Sequence, residues 1–220
     1  MPTERECFEM IERIENSLTI LFSSRASYRE YLEILNANPR LKSGNHFLTW
    51  IADNYLYSAA MSLRRLLDRS SGTISIYKLL DALQSNSHLL SKTSYISRFI
   101  ADGSDSNLAE ICFSGLAGSS HAEGLNLQIL RDQLDSFSIN WERLKTYINE
   151  RIAHEARNPS EELPTISDLD ICIDRAAEVM KIIIAFMKFA SIKSFEPVVQ
   201  YSWREIFSFP WIDASVVRHN

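Results

Sequence analysis

The sequence predicts an all-α protein, an up-and-down helical bundle with short peripheral helices and an aromatic C-terminal tail. Three observations predict this class. Glycine and proline are scarce, with six of each in 220 residues, so few positions interrupt a helix. Apolar residues recur at alternating intervals of three and four along several long segments, which is the period of an amphipathic helix. No segment shows the strict alternation of apolar and polar residues expected of a strand.

The length and composition predict a single domain over residues 1–220. A chain of this length can build one core of ordinary size, and 45% hydrophobic with 23% charged residues is typical of a folded globular protein. The formal net charge of −5 argues against a protein that coats DNA, because Lys and Arg supply most phosphate binding. The net charge does not exclude a local patch of basic residues.

Cysteine usage and the N-terminal sequence predict a cytoplasmic protein. Cys7, Cys112 and Cys172 are odd in number and far apart, which suits a reducing compartment and gives no metal signature. The first residues lack the basic and then apolar order of a signal peptide. The most apolar run, Met180–Ala190, is interrupted by two lysines and is too short to cross a bilayer. We therefore expect no membrane association, no metal and no cofactor.

The first two helices are predicted at residues 4–36 and 45–68. In the first, Arg25 occupies a position where an apolar residue is expected, which indicates an arginine that pairs with a carboxylate or reaches solvent at a helix crossing. The second helix ends in Arg64 and Arg65, and the helix dipole favours basic residues at that end. The residues predicted to face the core from the second helix are Phe47, Ile51, Tyr55, Met61 and Leu66.

Shorter elements are predicted in the middle of the chain. Ser75 is a suitable N-cap for a short helix, and a second helical segment is expected from Ser87 to Ala101. Residues 102–126 hold four of the six glycines and many serines, so they predict an irregular insertion in which 107–113 form one or two helical turns. Irregular segments of that length are usually functional or mobile.

A long helix is predicted from Leu127 to about His154. Its apolar residues keep the helical period throughout, and Asn158-Pro159 cannot extend it.

The last helix is predicted from Asp168 to about Ser194. Ser167 and Asp170 resemble a capping box at its start. Because the helix is apolar on most faces, we expect it to be the central one. The tail, residues 195–220, carries five aromatic residues within thirteen, so we expect it either to fold back over the core or to dock on a second subunit.

The candidate functional site lies at the end of the helix that closes at His154. Residues spaced by three or four lie on one stripe of a helix, and the stripe here carries Arg143, Tyr147, Glu150, Arg151 and His154. An imidazole at a helix C-terminus, next to a loop, is well placed to be both charged and accessible.

Two segments of the chain resemble a known superfamily. The helix that ends in Ile-Ala-His, followed by a charged residue and a proline-containing loop, resembles the HEPN superfamily of helical bundles. The segments RLLDRSSGTISIYKLL, from Arg65, and NERIAHEARNP, from Asn149, together resemble the AbiU-type group that is associated with abortive phage infection. The resemblance covers roughly residues 45–190.

This resemblance implies a bundle of four or five helices that usually forms a homodimer, in which the motif helices of the two subunits meet. In active members an arginine and a histidine, separated by four to six intervening residues, form a ribonuclease site across that interface that needs no metal. The histidine would transfer protons to or from the ribose 2′-hydroxyl and the leaving oxygen, and the arginine would stabilise the charge on the phosphorane.

The sequence departs from the family pattern beside the histidine. Five, six and seven residues before His154 stand Asn149, Ile148 and Tyr147, and none is an arginine. Arg151, three residues away, is the nearest arginine on the N-terminal side, so we predict His154 and Arg151 as a degenerate catalytic pair. The residues predicted to bind the RNA substrate are Arg64, Arg65, Arg143, Tyr147 and Asn149.

Two non-catalytic interpretations remain open. The chain is an interaction protein if the aromatic tail and residues 102–126 bind a partner such as an antitoxin. It is a nucleotide-sensing module if Arg64, Arg65 and Arg151 receive phosphate. An open stripe in which a guanidinium approaches His154 favours the enzyme, whereas a stripe covered by the tail or neutralised by Glu150 favours a binding module.

Overall fold

The all-α class predicted from the sequence is confirmed. The computed structural model describes residues 2–39, 45–103, 105–196 and 203–208, and within these ranges it holds eight α-helices, one isolated β-bridge and no strand. The α-helices are α1 (Glu4–Ala37), α2 (His46–Leu66), α3 (Ile76–Ser85), α4 (Lys92–Ala101), α5 (Ser106–Ala117), α6 (Leu127–Asp135), α7 (Ser138–Tyr147) and α8 (Ile166–Lys188). Three further pieces are the 3₁₀ helices Ser87–Leu90 and Trp203–Ser208 and the π-helical segment Ile148–Ala153.

Helix α8 lies at the centre of the bundle, as predicted, and contacts α1, α2, α5, α6 and α7. Its predicted start was wrong by two residues. Thr165 is the N-cap and forms the capping box with Asp168, whereas Asp170 pairs with arginines of α1. The helix ends at Lys188 because Phe189 adopts a left-handed conformation with φ of 55°, and its ring packs against the aromatic residues of α4.

Arg25 is buried where α1 crosses α8, with 4% of its surface exposed. Its Nη1 donates to Asp174 at 2.7 Å and to Asp170 at 3.4 Å, and its guanidinium lies 4.3 Å from the centroid of the Phe22 ring. The predicted pairing with a carboxylate is confirmed, and it joins the first helix to the last.

The region predicted to be an irregular insertion, residues 102–126, contains the twelve-residue helix α5. Asp105 caps the helix by accepting from the backbone N–H groups of Asn107 and Leu108, and Gly118, with φ of 73°, ends it. Gly115 lies inside the helix and Gly118 follows its last residue, and neither prevents the helix from forming. The helix is stabilised because Ala109 and Phe113 are buried on its inner face. The prediction of only one or two turns was therefore wrong.

The long helix predicted from Leu127 to His154 is broken in two. Helix α6 ends at Asp135, and α7 begins at Ser138 after a turn in which the Phe137 side chain is buried. The apolar spacing continues across this turn, so periodicity alone could not reveal the break. The predicted end at His154 is confirmed, because that residue has an extended backbone with φ of −138° and ψ of 154°.

The described part of the aromatic tail folds back over the core. Phe195 is buried against Phe22 with ring centroids 5.6 Å apart, and Trp203 packs against the core. Arg204 pairs with Glu30 at 3.0 Å and Glu33 at 2.6 Å on α1. Residues 197–202 and 209–220 of the tail lie outside the described residues.

No helix in the described ranges is both long enough and apolar enough to span a bilayer. This finding includes α8, which contains the apolar run singled out in the sequence.

The helical segment predicted from Ser87 to Ala101 is interrupted at Ser91, which is extended and caps α4. Ser91 forms the isolated antiparallel bridge with Gly124. On either side, Leu125 N donates to Leu90 O at 2.9 Å and Lys92 N donates to Glu123 O at 2.8 Å. The backbone that follows α5 is thereby attached to the start of α4.

Replacing Gly124 by alanine is expected to lower the free energy of unfolding by about 1–2 kcal/mol. A Cβ at this position would lie 2.7 Å from the backbone oxygen of Leu90, so one of the two bridged backbones must shift. The matched control is Gly115→Ala in α5, where no described atom apart from the chain neighbours and the helix's own backbone lies within 4 Å of the added Cβ. There we expect a gain of about 0.5–1 kcal/mol from helix propensity. Urea unfolding of both variants checks this pair, and equal changes would contradict it.

Candidate functional site

A π-helical segment follows α7 and leads directly to His154. Residues Ile148–Ala153 form this wide turn, and the buried side chain of Ile148 anchors it to the core. π-Helical turns are rare and are frequently found at functional sites. The segment therefore indicates a candidate functional site at the end of α7.

The loop after His154 folds back onto the π-helical segment through Ser160. The Ser160 backbone N–H donates to Glu150 Oε2 at 2.7 Å, and Arg151 Nη2 donates to the Ser160 carbonyl at 2.9 Å. Ala156 N also donates to the Glu150 carbonyl at 2.9 Å. Glu150 is thus engaged by the loop, and Arg151 is held at the base of the same loop.

His154 is exposed at the tip of this turn. No arginine in the described ranges forms a hydrogen bond with its imidazole, so the described part of this subunit does not itself bring a guanidinium onto His154. The ring is open to solvent, to substrate or to a second subunit.

Arg143 ties α7 to the start of α8. Its Nη1 donates to Asp168 Oδ1 at 3.0 Å, and its Nε donates to Glu162 Oε1 at 2.7 Å. Asp168, which is 3% exposed, also accepts from Asn140 at 2.6 Å and from the Thr165 backbone N–H at 2.7 Å. Burial opposes ionisation of Asp168, but these hydrogen bonds outweigh it and lower its pKa to about 2. Two carboxylates therefore already neutralise Arg143.

Tyr147 lies between the π-helical segment and α2. Burial raises the pKa of its phenol, and the neighbouring Tyr57 raises it further, whereas nearby Arg151 lowers it. Tyr57 is itself 44% exposed. The contact joins the surface of α2 to the turn that carries Arg151 and His154.

Helix α2 presents an exposed aromatic face that ends at this contact. Phe47, Trp50 and Tyr57 are spaced by three and seven residues, which places them on one side of the helix. The rings of Phe47 and Trp50 stack with centroids 5.8 Å apart, and these two side chains are 57% and 60% exposed. The prediction that Phe47 faces the core was wrong, because the core side of this end of α2 is taken by Leu48 and Ile51.

A groove of about 550 Å³ lies on another side of α7, where it meets the end of α2 and helices α3 and α6. Of the predicted substrate-binding residues, Arg64 and Asn149 line it. The remaining lining residues are Leu67, Asp68, Arg69, Ser70, Tyr77, Leu134, Asp135, Ser138, Trp141, Glu142 and Lys145. Arg65 points elsewhere and lines a separate depression with residues of α1.

The predicted site residues thus fall into separate places. Tyr147 and Arg151 lie together beside α2, Arg64 and Asn149 share the groove, and Arg143 and Arg65 lie apart from both. Sequence reasoning missed the exposed aromatic face of α2, although the three-residue spacing of Phe47 and Trp50 could have indicated it. In the described ranges, no group of three or more His, Cys, Asp and Glu side chains is arranged to hold a metal ion.

A protein-family model matches most of the chain. The HEPN_AbiU2 family model, described as AbiU2, matches residues 8–192. This range begins within α1 and includes α2 to α8, the π-helical segment and His154. Neither the curated proteins nor the solved structures contain a match to this chain.

Proposed function

The chain belongs to the AbiU2 family of HEPN-like helical proteins, and from this premise we propose that it is a defence module of the abortive-infection type that cleaves RNA without a metal ion. His154 transfers the protons in this reaction, and Arg151 contributes positive charge beside it. The resemblance to HEPN proteins described above supplies the reaction class, and the position of His154 supplies the reacting group.

The observation that carries the proposal is the exposure of His154 at the end of a π-helical segment that contacts α2, the helix with the exposed aromatic face. Aromatic side chains stack with unpaired bases, and the face formed by Phe47, Trp50 and Tyr57 leads to the turn through Tyr147. An RNA strand stacked on α2 would thus approach the imidazole with its bases held and its phosphates free.

The proposed chemistry uses a nucleophile that the RNA supplies. The imidazole of His154 takes the proton of a ribose 2′-hydroxyl, whose oxygen attacks the adjacent phosphorus. The P–O5′ bond breaks, the leaving oxygen takes the proton from the His154 imidazolium, and the products carry a 2′,3′-cyclic phosphate and a 5′-hydroxyl. A guanidinium stabilises the charge that develops on the phosphorane oxygens.

A homodimer supports this chemistry. Arg151 donates to the Ser160 carbonyl within its own chain, so the guanidinium that reaches His154 would come from the partner subunit. Exposure of both His154 and the α2 aromatic face leaves them available to such a partner. Action on RNA also agrees with the cytoplasmic location expected from the three unpaired cysteines.

The test is incubation of the purified full-length protein with unstructured RNA in the presence of EDTA. We expect cleavage products that end in a 2′,3′-cyclic phosphate, and a molar mass of two chains by light scattering. RNA that remains intact over a range of sequences would overturn the proposed activity. A monomer that cleaves RNA would overturn the requirement for a second subunit.

Replacing Trp50 by alanine is expected to weaken binding of a short unstructured RNA by about tenfold, because one base loses its stacking partner. Trp50→Phe keeps an aromatic ring and should restore most of the affinity. The control is Ile111→Ala on α5, which removes an apolar side chain of similar exposure from a different surface. Fluorescence anisotropy measures all three, and an alanine variant that binds as tightly as the wild type would contradict RNA stacking on α2.

The second candidate function is a non-catalytic module that binds a protein partner such as an antitoxin. One observation favours it. Arg143 belongs to the predicted stripe, but its charge is neutralised by Asp168 and Glu162, so it is not available to bind a phosphate. This function predicts a stable complex with a partner chain and no RNA cleavage by the protein alone. The EDTA assay therefore separates the two.

A further inference from the structure

The depression that Arg65 lines, between α1 and the end of α2, plays no part in the proposed RNA cleavage. Its volume is about 350 Å³, which is within the range of sites for small molecules. Both helices contribute to its polar lining, which consists of Arg13, Asn16, Ser17, Ser62 and Arg65. In the described part of the chain no acidic residue lines it, so the lining carries two positive charges and no negative one.

The polar groups of this depression are not used elsewhere in the fold. Arg13 and Arg65 are exposed, and among the described residues neither side chain forms a hydrogen bond or an ion pair. The Asn16 amide and the Ser62 hydroxyl have no hydrogen-bond partner there either. The Ser17 hydroxyl donates to the Arg13 carbonyl at 2.8 Å, but its oxygen can still accept. These groups are therefore available to a ligand.

The acidic residues close to Arg13 are engaged by other groups. Arg13 also borders a neighbouring depression that Glu6 and Glu9 line. Glu9 Oε1 accepts from Arg5 Nε at 2.8 Å, and Glu6 Oε2 accepts from the Thr3 backbone N–H at 2.6 Å. Neither carboxylate forms an ion pair with Arg13 in the described ranges, so its guanidinium remains available to an anion.

The acidic residue close to Arg65 is also engaged. Asp68, three residues later in the chain, accepts from the Ser70 backbone N–H at 2.8 Å. This hydrogen bond lowers the pKa of Asp68, and the charge of Arg64 lowers it further. Arg64 and Asp68 line the larger groove together, whereas Arg65 lines only the smaller depression. The Arg65 guanidinium therefore remains available to an anion that enters this depression.

The rest of the lining selects what accompanies the anion. It is aliphatic, with the buried residues Ile14 and Leu66 and with Ile74, which is 38% exposed. No aromatic ring lines the depression in the described ranges, so it offers no stacking surface for a nucleobase. A phosphate ion fills only part of this volume, which leaves room for a small organic group that can bond to hydroxyls and an amide.

We propose that this depression binds a small sugar phosphate, with the phosphate between Arg13 and Arg65 and the sugar hydroxyls on Asn16 and Ser62. A phosphate monoester carries a charge of about −1.5 to −2 at neutral pH, which matches two guanidiniums. Arginine forms paired hydrogen bonds with phosphate oxygens. The Asn16 amide and the Ser62 hydroxyl can each donate to and accept from a sugar hydroxyl. The paired cations and the polar, ring-free walls select this class of ligand.

The test is isothermal titration of the full-length protein with ribose 5-phosphate, glucose 6-phosphate and fructose 6-phosphate, beside the free sugars and inorganic phosphate. We expect at least one sugar phosphate to bind about tenfold more tightly than its free sugar and than inorganic phosphate. Arg13→Gln and Arg65→Gln should each weaken that binding by about tenfold. The matched control is Arg64→Gln, which removes the same charge from the preceding position but lines the other groove and should leave the affinity unchanged.

Replacing Ser62 by alanine tests the recognition of the sugar separately from that of the phosphate. We expect Ser62→Ala to weaken binding of the sugar phosphate by about fivefold, because one hydrogen bond is lost. The affinity for inorganic phosphate should stay the same. A thermal melt of every variant checks that it is folded, and we expect melting at the wild-type temperature for the exposed arginines.

Four results would overturn the proposal. The first two are no saturable binding of any sugar phosphate and a loss in Arg64→Gln as large as in Arg65→Gln. The third is inorganic phosphate that binds as tightly as the sugar phosphates, which would assign the depression to the bare anion. The fourth is binding of only a 5′-phosphorylated RNA hexamer, which would assign it to the RNA strand. Because the titration measures binding of small molecules alone, its failure leaves the RNA cleavage proposal untouched.

Discussion

Replacing His154 by alanine is expected to reduce metal-independent RNA cleavage by about 10²–10⁴-fold, which is the usual contribution of a positioned general acid or base. No other histidine lies on the turn formed by the π-helical segment and its loop. The loss should appear in the rate of the chemical step rather than in RNA affinity, because the stacking surface on α2 is unchanged. Single-turnover cleavage of a labelled RNA in EDTA measures it.

The control for this prediction is His121→Ala. His121 is also exposed, on the turn that follows α5, so the two substitutions remove the same group from comparable environments. We expect both variants to melt at the wild-type temperature, since neither side chain is part of the core. Cleavage that is equally fast in wild type and in His154→Ala would remove His154 from the reaction.

Replacing Asp168 by alanine is expected to lower the free energy of unfolding by about 3 kcal/mol, the largest stability effect that we predict. The substitution removes the capping box of α8 and leaves Asn140 without its acceptor. Arg143 keeps Glu162 and is partly exposed, so it can regain water, which holds the cost near the lower end for a broken buried pair. Urea denaturation followed by circular dichroism measures the change.

The same carboxylate predicts how stability depends on pH. The pKa of Asp168 is 3.8 without its partners and about 2 in the folded protein. Its contribution is therefore complete above about pH 5, decreases as the pH falls below 3.8, and is lost below about pH 2. The amount is about 2 kcal/mol. The alanine variant should lose this part of the acid sensitivity.

The control for Asp168 is Glu178→Gln on the same helix. Glu178 is an exposed residue whose ion pair within the described part of the chain is with Lys181 at 3.7 Å, so we expect a change within about 0.5 kcal/mol. A loss at Asp168 no larger than at Glu178 would mean that the network around the start of α8 contributes little to stability.

Local patterns predicted most of the helices because each helix buries one face. The regular spacing of Cys7, Ile11, Ile14 and Leu18 identified α1, and all four are buried. Ser75 caps α3 as predicted, since a hydroxyl before an amphipathic run satisfies a free backbone N–H wherever the helix lies. These features depend on residues close together in the chain, so the sequence contains them in full.

The predicted helix boundaries were wrong where contacts between residues far apart in the chain determine the structure. Thr165 and Ser167 are both acceptable N-caps, and Asp168, held by Asn140 and Arg143 of α7, selected Thr165. The break at Phe137 falls within an unbroken apolar period, so the spacing of apolar residues gives no sign of it. Neither choice can be read from neighbouring residues.

The features of the candidate site likewise divide into those that local sequence determines and those that tertiary contacts determine. The sequence by itself determined the helical class, the family and an exposed histidine at the end of a helix, because periodicity, caps and motif letters are local. Only the tertiary structure decided which arginines remain free, since a guanidinium pairs with whichever carboxylate folding brings to it. Arg143 is neutralised by Asp168 of α8, whereas Arg64 lines the groove and has Asp68, four residues later in the chain, as its acidic neighbour.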